Sequence, residues 1–352
     1  MTEIDPRGLV PGATLAGSIL AGHSMEGLDL HGVDLTGADL RTARLGECNL
    51  RGSILRHANL QDADLRASLL DGADLSWANL TGTKLTGTTA TRCLARAAVF
   101  SRADVSECDL RDADGRGANF AEANLSISDL SGANLTGADL TGATFEGANL
   151  QCATLVRALF ARARLVGCNL SNTVLVEADL SGAVLDSADG SRSCAPGAIF
   201  RKASLMGFNA RLADFADCDF TGAVVSKANF ARTCLANAIM VDVDAAGAAF
   251  EFADLRGARM KDANFANAVF VGASLKGGTA FACVFREADF YWTGTKSFQM
   301  DRCDTENARW PESVEVPHRP RVVGSLEPMP ITLSRRTASE AERQELIRKA
   351  LG

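Results

Sequence analysis

Residues 131–150 read SGANL TGADL TGATF EGANL, four five-residue units in succession. Each unit closes on a large apolar residue, here Leu135, Leu140, Phe145 and Leu150, and such residues fall on multiples of five along most of the chain. From Leu15 to Phe290 the interruptions are Ala90, Ala95, Gly115, Gly190, Ala195, Ala210, Ala245 and Ala280. Two residues before each centre stands mostly Ala, and between the two stands mostly Asp, Asn or Thr. After the centre come Ser, Thr or Arg, then often Gly. The frame never slips.

A period of five suits neither an α-helix, with about 3.6 residues per turn, nor a flat strand, with about 2. It suits a coil that turns a corner every five residues. Ala and Leu/Phe point inward, and the other three positions face out. One coil cannot bury its inner face alone, so coils stack and their backbone groups pair. Composition agrees with a thin core: 47% of the chain is hydrophobic, yet there are only 17 Phe, 3 Trp and 1 Tyr beside 32 Gly. The unslipped register predicts one uninterrupted core.

The motif A(D/N)LxG resembles the pentapeptide-repeat family, over roughly residues 13–295. The resemblance implies an all-β solenoid, a right-handed quadrilateral β-helix with four pentads per coil and about fourteen coils. Residues twenty apart then share a column. Phe100, Phe120, Phe160, Phe200 and Phe220 fall on one inner face, and Phe230, Phe250, Phe270 and Phe290 on another, where rings can stack.

Prolines mark the ends, because proline cannot donate to a ladder. Pro6 and Pro11 precede the repeat, and Pro311, Pro317, Pro320, Pro328 and Pro330 follow it. The expected organisation is an N-terminal cap over 1–12, the β-helix over 13–310, an extended proline-rich segment over 311–336 and a short C-terminal helix over 337–352. Ser339 and Glu342 have capping-box spacing, and Ile347, Ala350 and Leu351 make an apolar stripe. Pro196 is the internal exception. With Gly190 and Ala195 replacing two consecutive centres, 188–197 is the best candidate for a loop leaving the coil, and TTATRCLARA, with Ala90 and Ala95, is a weaker one.

Little chemistry is suggested. The four histidines, His23, His31, His57 and His318, sit in no recognisable constellation with nucleophiles or carboxylates. The many Asp occupy outward repeat positions and read as solvated. Seven of the 10 cysteines (Cys48, Cys93, Cys108, Cys168, Cys218, Cys283 and Cys303) take the inward Ala position as small hydrophobes. No enzyme, cofactor or metal is expected. Net charge is −7, so there is no basic surplus for direct nucleic-acid binding. No apolar run reaches membrane-span length and no signal peptide is visible, so a cytoplasmic protein is expected.

The expected function is a protein–protein interaction scaffold or adaptor. Family resemblance implies two alternatives: a DNA mimic that occupies DNA gyrase and confers resistance to its poisons, or an accessory adaptor of a type VI secretion system. Outward arginines, among them Arg41, Arg51, Arg56, Arg66, Arg96 and Arg116, dilute the negative field a mimic needs. Ile19, Val99, Leu159, Ile199 and Ile239, apolar at the Asp/Asn position of one face, form the candidate interaction surface. At the C-terminal end, Trp292, Trp310, Leu346, Ile347 and Leu351 are expected to cap the solenoid, dock a partner or pair two copies into a homodimer.

Overall fold

The computed structural model describes residues 10–311, together with Glu345 and Arg348. The chain divides into two compact units, 1–189 and 190–352. In the first, single parallel bridges join residues twenty apart, from Thr14 with Asp34 to Asn169 with Asp189. In the second, the same pattern runs from Cys194 with Asp214 to Asp289 with Arg309. On one face of that unit the bridges lengthen into short strands: β1 (Ile239–Val241), β2 (Arg259–Lys261), β3 (Thr279–Phe281) and β4 (Gln299–Asp301). They form a parallel sheet in the order β1-β2-β3-β4, with Met240, Met260, Ala280 and Met300 in register. Each unit is thus built as the quadrilateral β-helix that the repeat implies.

One pentad shows why the frame is five. Asp34 N–H donates back to Ala13 carbonyl at 2.9 Å, Leu35 N–H forward to Ile54 at 2.7 Å and Gly37 N–H forward to Arg56 at 2.8 Å. Ala38 N–H closes the corner on Leu35 carbonyl at 3.0 Å. The fifth donor, Thr36 N–H, goes to the Asp34 side chain at 2.9 Å. All five backbone donors are satisfied, four by backbone and one by the Asp/Asn carboxyl or amide oxygen two residues earlier. The aspartates are therefore corner caps as well as surface charges, which corrects their reading as merely solvated.

The same accounting corrects the expected loop. Residues 188–197 keep the register: Cys194 bridges Asp214, and Gly197 N–H reaches Ala216 carbonyl at 2.9 Å. Pro196 occupies the one pentad position whose N–H stands outside the ladder, so it removes nothing. Nor does the missing centre at Gly190 leave a void. A Cβ there would lie 2.2 Å from Phe208 Cζ, because Phe208, at an inward Ala position, swings its ring into that space. The stretch at Ala90 and Ala95 also stays in the coil, with both residues buried.

The core is a stack of aliphatic and aromatic columns. Phe100 stacks on Phe120 with centroids 4.5 Å apart, and Phe200 on Phe220 at 5.0 Å. Phe230, Phe250, Phe270 and Phe290 continue at 5.3, 4.9 and 4.9 Å, and Trp310 stacks on Phe290 at 4.3 Å. Six of the seven inward cysteines are buried, and Cys303 is half-buried. Burial pushes the Cys93 and Cys168 thiols up to about 12.

Glu345 and Arg348 are helical and form an ion pair at 2.6 Å. The rest of the expected C-terminal helix, including Leu346, Ile347 and Leu351, lies outside the described residues. So do the proline-rich segment after Pro311 and residues 1–9 of the expected N-terminal cap.

Candidate interaction surface

With the backbone satisfied within the coils, what each unit offers a partner is its outward side chains. Three positions per pentad supply them: the bridging residue and the two corner residues. The second corner residue is always in the left-handed region. From Gly12 to Asn307, every pentad places it at a φ of 51° to 70°, glycine or not. For an L-residue this costs about 1–2 kcal/mol relative to the right-handed region. Asn and Asp tolerate it best, and bulky or β-branched side chains are true outliers there.

Five large apolar residues nevertheless stand exposed at this strained position: Trp77, Ile127, Leu212, Phe252 and Trp292. Trp77 stacks on His57 at 5.3 Å, and Ile127 stands between Glu107 and Gly147 in its corner column. The other three share one corner column of the second unit, which reads Arg192, Leu212, Arg232, Phe252, Gly272, Trp292 from coil to coil. The Arg232 guanidinium lies 5.5 Å from the Phe252 ring centroid. The Phe252 ring lies over Gly272, where a Cβ would come within 2.6 Å of Phe252 Cδ1. Trp292 stacks on Tyr291 at 4.8 Å, and Tyr291 carries Arg309 4.4 Å above it.

Charge around this column is uneven. Most arginines elsewhere are neutralised close by: Arg41 with Asp39 at 2.7 Å, Arg96 with Asp114 at 2.7 Å, Arg201 with Asp219 at 2.7 Å. Arg192, Arg211 and Arg232 make no ion pair among the described residues, nor do Lys276 and Lys296 at the next corner. Of the nearby carboxylates, Asp254 pairs with Arg256, Asp289 with Arg309, and Asp214 caps Ala216 N–H at 3.0 Å. Glu251 and Asp214 make no ion pair among the described residues, against five such cations. Uncompensated charge there is therefore positive, on a chain whose net charge is −7.

The residues expected to mark the surface are placed differently. Ile19, Val99 and Leu159 share one bridging column of the first unit, but Asp39, Asn59, Asn79, Asn119 and Asp139 stand between them. Ile19 and Leu159 are exposed and Val99 half-buried. In the second unit Ile199 and Ile239, both half-buried, are separated by Asp219. The structure aligns these residues without bringing them together. Trp310 lies on the core stack, whereas Trp292 stands outward at its corner, 69% exposed. Sequence reasoning missed the Leu212–Phe252–Trp292 column. Its signal was legible as large apolar residues in the slot where glycine is the common choice.

Among known families, the model of pentapeptide repeats matches the chain in eight copies, over residues 12–46, 58–94, 96–132, 128–165, 153–189, 163–201, 203–244 and 246–279. Solved structures similar to the chain include HetL, a pentapeptide repeat protein involved in heterocyst differentiation regulation in the cyanobacterium Nostoc sp. strain PCC 7120. It shows 26% identity over 73% of this chain and 90% of its own, with a TM-score of 0.26. A pentapeptide repeat protein of the Arabidopsis thaliana thylakoid lumen shows 29% identity over 33% of this chain and 67% of its own, with a TM-score of 0.22. Full-length QnrB1, a plasmid-mediated fluoroquinolone resistance protein, shows 16% identity over 69% and 84%, with a TM-score of 0.23. No curated protein matches the chain.

Proposed function

The chain belongs to the pentapeptide repeat family, and from that premise we propose that it is a non-enzymatic scaffold that binds another protein through outward side chains held on a fixed grid. The observation that carries this reading is the complete use of backbone donors within the pentad, seen at residues 34–38. In pentads capped by Asp or Asn in this way the backbone has few spare donors to offer. Recognition then falls to side chains whose positions repeat from coil to coil, which is how solenoid proteins generally bind. Ten cysteines without a disulfide, most of them buried as small hydrophobes, suit a reducing compartment such as the cytoplasm.

The DNA-mimic alternative requires a continuous negative field. Pairs such as Arg41–Asp39, Arg66–Asp64 and Arg111–Asp109 compensate carboxylates where they stand and weigh against it. The purified chain is expected to leave gyrase supercoiling unchanged.

The test of the scaffold reading is purification of the tagged full chain from its native host, with mass spectrometry of what accompanies it. A protein companion in near-stoichiometric amount is expected. Recovery of the chain alone under every growth condition tried would overturn the reading.

A further inference from the structure

We propose that the corner column Arg192–Leu212–Arg232–Phe252–Gly272–Trp292 is the docking ridge for an acidic amphipathic α-helix of a partner protein. The inference rests on the scaffold reading and names the surface and the chemistry of its partner. Three observations carry it. Leu212, Phe252 and Trp292 are exposed at a backbone conformation that disfavours large side chains, so their presence there calls for a reason outside local folding. They recur every second coil, and Arg192 and Arg232 occupy the coils on either side of Leu212. Arg192, Arg211, Arg232, Lys276 and Lys296 lack carboxylate partners among the described residues, while Asp254 and Asp289 are already paired with other arginines.

Spacing identifies the partner as a helix. Adjacent coils are about 4.8 Å apart, so the apolar anchors repeat at about 9.6 Å and the arginines are offset by half that distance. An α-helix laid along the column advances about 10.5 Å in seven residues and about 4.5–6 Å in three or four. Apolar residues at i, i+7 and i+14, with Asp or Glu between them at i+3 or i+4, therefore meet the ridge in register. Arg232 and Lys276 draw the carboxylates. The Phe252 ring, set against Gly272, and the Tyr291-backed indole of Trp292 supply broad apolar contact. Rigid aromatic anchors beside arginine make up the composition of binding hot spots.

The test uses the full chain and a fluorescein-labelled helical peptide with Leu at heptad spacing and Glu at the intervening positions. The control peptide carries Lys in place of Glu. Fluorescence anisotropy is expected to show salt-sensitive binding of the Glu peptide and at least tenfold weaker binding of the Lys peptide. The double variant Phe252→Asn, Trp292→Asn keeps residues that accept the left-handed corner and should fold with an unchanged circular dichroism spectrum. It is expected to bind the Glu peptide at least tenfold more weakly. No binding of the Glu peptide to the parent chain, or equal binding by the folded variant, would overturn the proposal. So would tenfold tighter binding after deletion of residues 312–352, which would make the chain's own tail the occupant. A concentration-dependent dimer in sedimentation equilibrium that the double variant abolishes would make it a second copy. Companions recovered equally by parent and variant from host extract would sink the ridge alone; no companion for either would sink the scaffold reading.

Discussion

Each pentad spends one residue in a left-handed corner, and the choice at that residue separates stability from display. Ile127 is 69% exposed at a φ of 61°, the conformation β-branched residues tolerate least. Ile127→Gly is expected to raise stability by about 0.5–1 kcal/mol, the strain relieved less the extra chain entropy of glycine. The converse, Gly137→Val, meets open space but the same backbone, and should cost about 1–2 kcal/mol. Urea denaturation of both variants checks the pair. Gly190 and Phe208 present the opposite case, an inward exchange of large and small. Gly190→Leu should be destabilising by about 1–3 kcal/mol through overpacking, and Phe208→Ala by about 3–5 kcal/mol through the cavity it leaves. Combined, they restore the ordinary repeat, so the double variant should lose at least about 1 kcal/mol less than the sum. A strictly additive double-mutant cycle would refute the compensation. The missing centre at Gly190 was legible in the sequence, but its remedy was not. Phe208 lies eighteen residues away, and only the stacking of coils brings the two together.

The corner is the element of this fold, and its cap is the Asp or Asn before the centre. Asn134 accepts from Thr136 N–H at 3.1 Å and from the Thr136 hydroxyl at 2.7 Å. Asn134→Ala should cost about 1 kcal/mol, read from the denaturation midpoint. Where the cap is Asp, stability depends on pH. Thr36, through its hydroxyl and then its N–H, holds the Asp34 carboxyl below its ordinary 3.8. Arg41 and Arg111 do the same for Asp39 and Asp109, working against partial burial. A carboxyl with a depressed folded pKa binds its proton more readily in the unfolded chain. Its contribution is therefore complete above about pH 5 and is lost as pH falls past the unfolded value toward the folded one. Unfolding midpoints measured from pH 7 down to pH 3 should stay level, then drop, and Asp34→Asn should flatten the drop. The alternation of inward and outward positions was readable from the pentad, because burial alone sets it. The cap was not, since an outward Asp looks the same in sequence whether water or a backbone N–H satisfies it.

Across the molecule, the inward Ala column doubles as a shield for thiols. Cys93, Cys108 and Cys168 are buried, with thiols pushed up to about 12, while Cys152 sits exposed at a left-handed corner. Labelling of the native chain by an aromatic disulfide reagent at pH 8 should therefore begin at Cys152, and the buried thiols should react only after denaturant is added. Peptide mapping of the labelled chain decides it, and early labelling of Cys93 or Cys168 would contradict the packing. These assignments followed from the frame alone. The aromatic ridge did not, because Leu212, Phe252 and Trp292 are forty residues apart in sequence and become neighbours only through every second coil. The frame also constrains how such a chain can change over generations. The backbone–backbone bonds between coils reach a partner nineteen or twenty-one residues away, and the rest close a corner three residues back. Inserting or losing one residue would turn every following side chain to the wrong side until a compensating change restored the count. Duplicating the stretch that codes for one whole coil would leave every contact type intact and add a fresh copy of each outward position. Lengthening by whole coils is thus an accessible route for this sequence, and the new copy is free to vary at its corners while its parent keeps working.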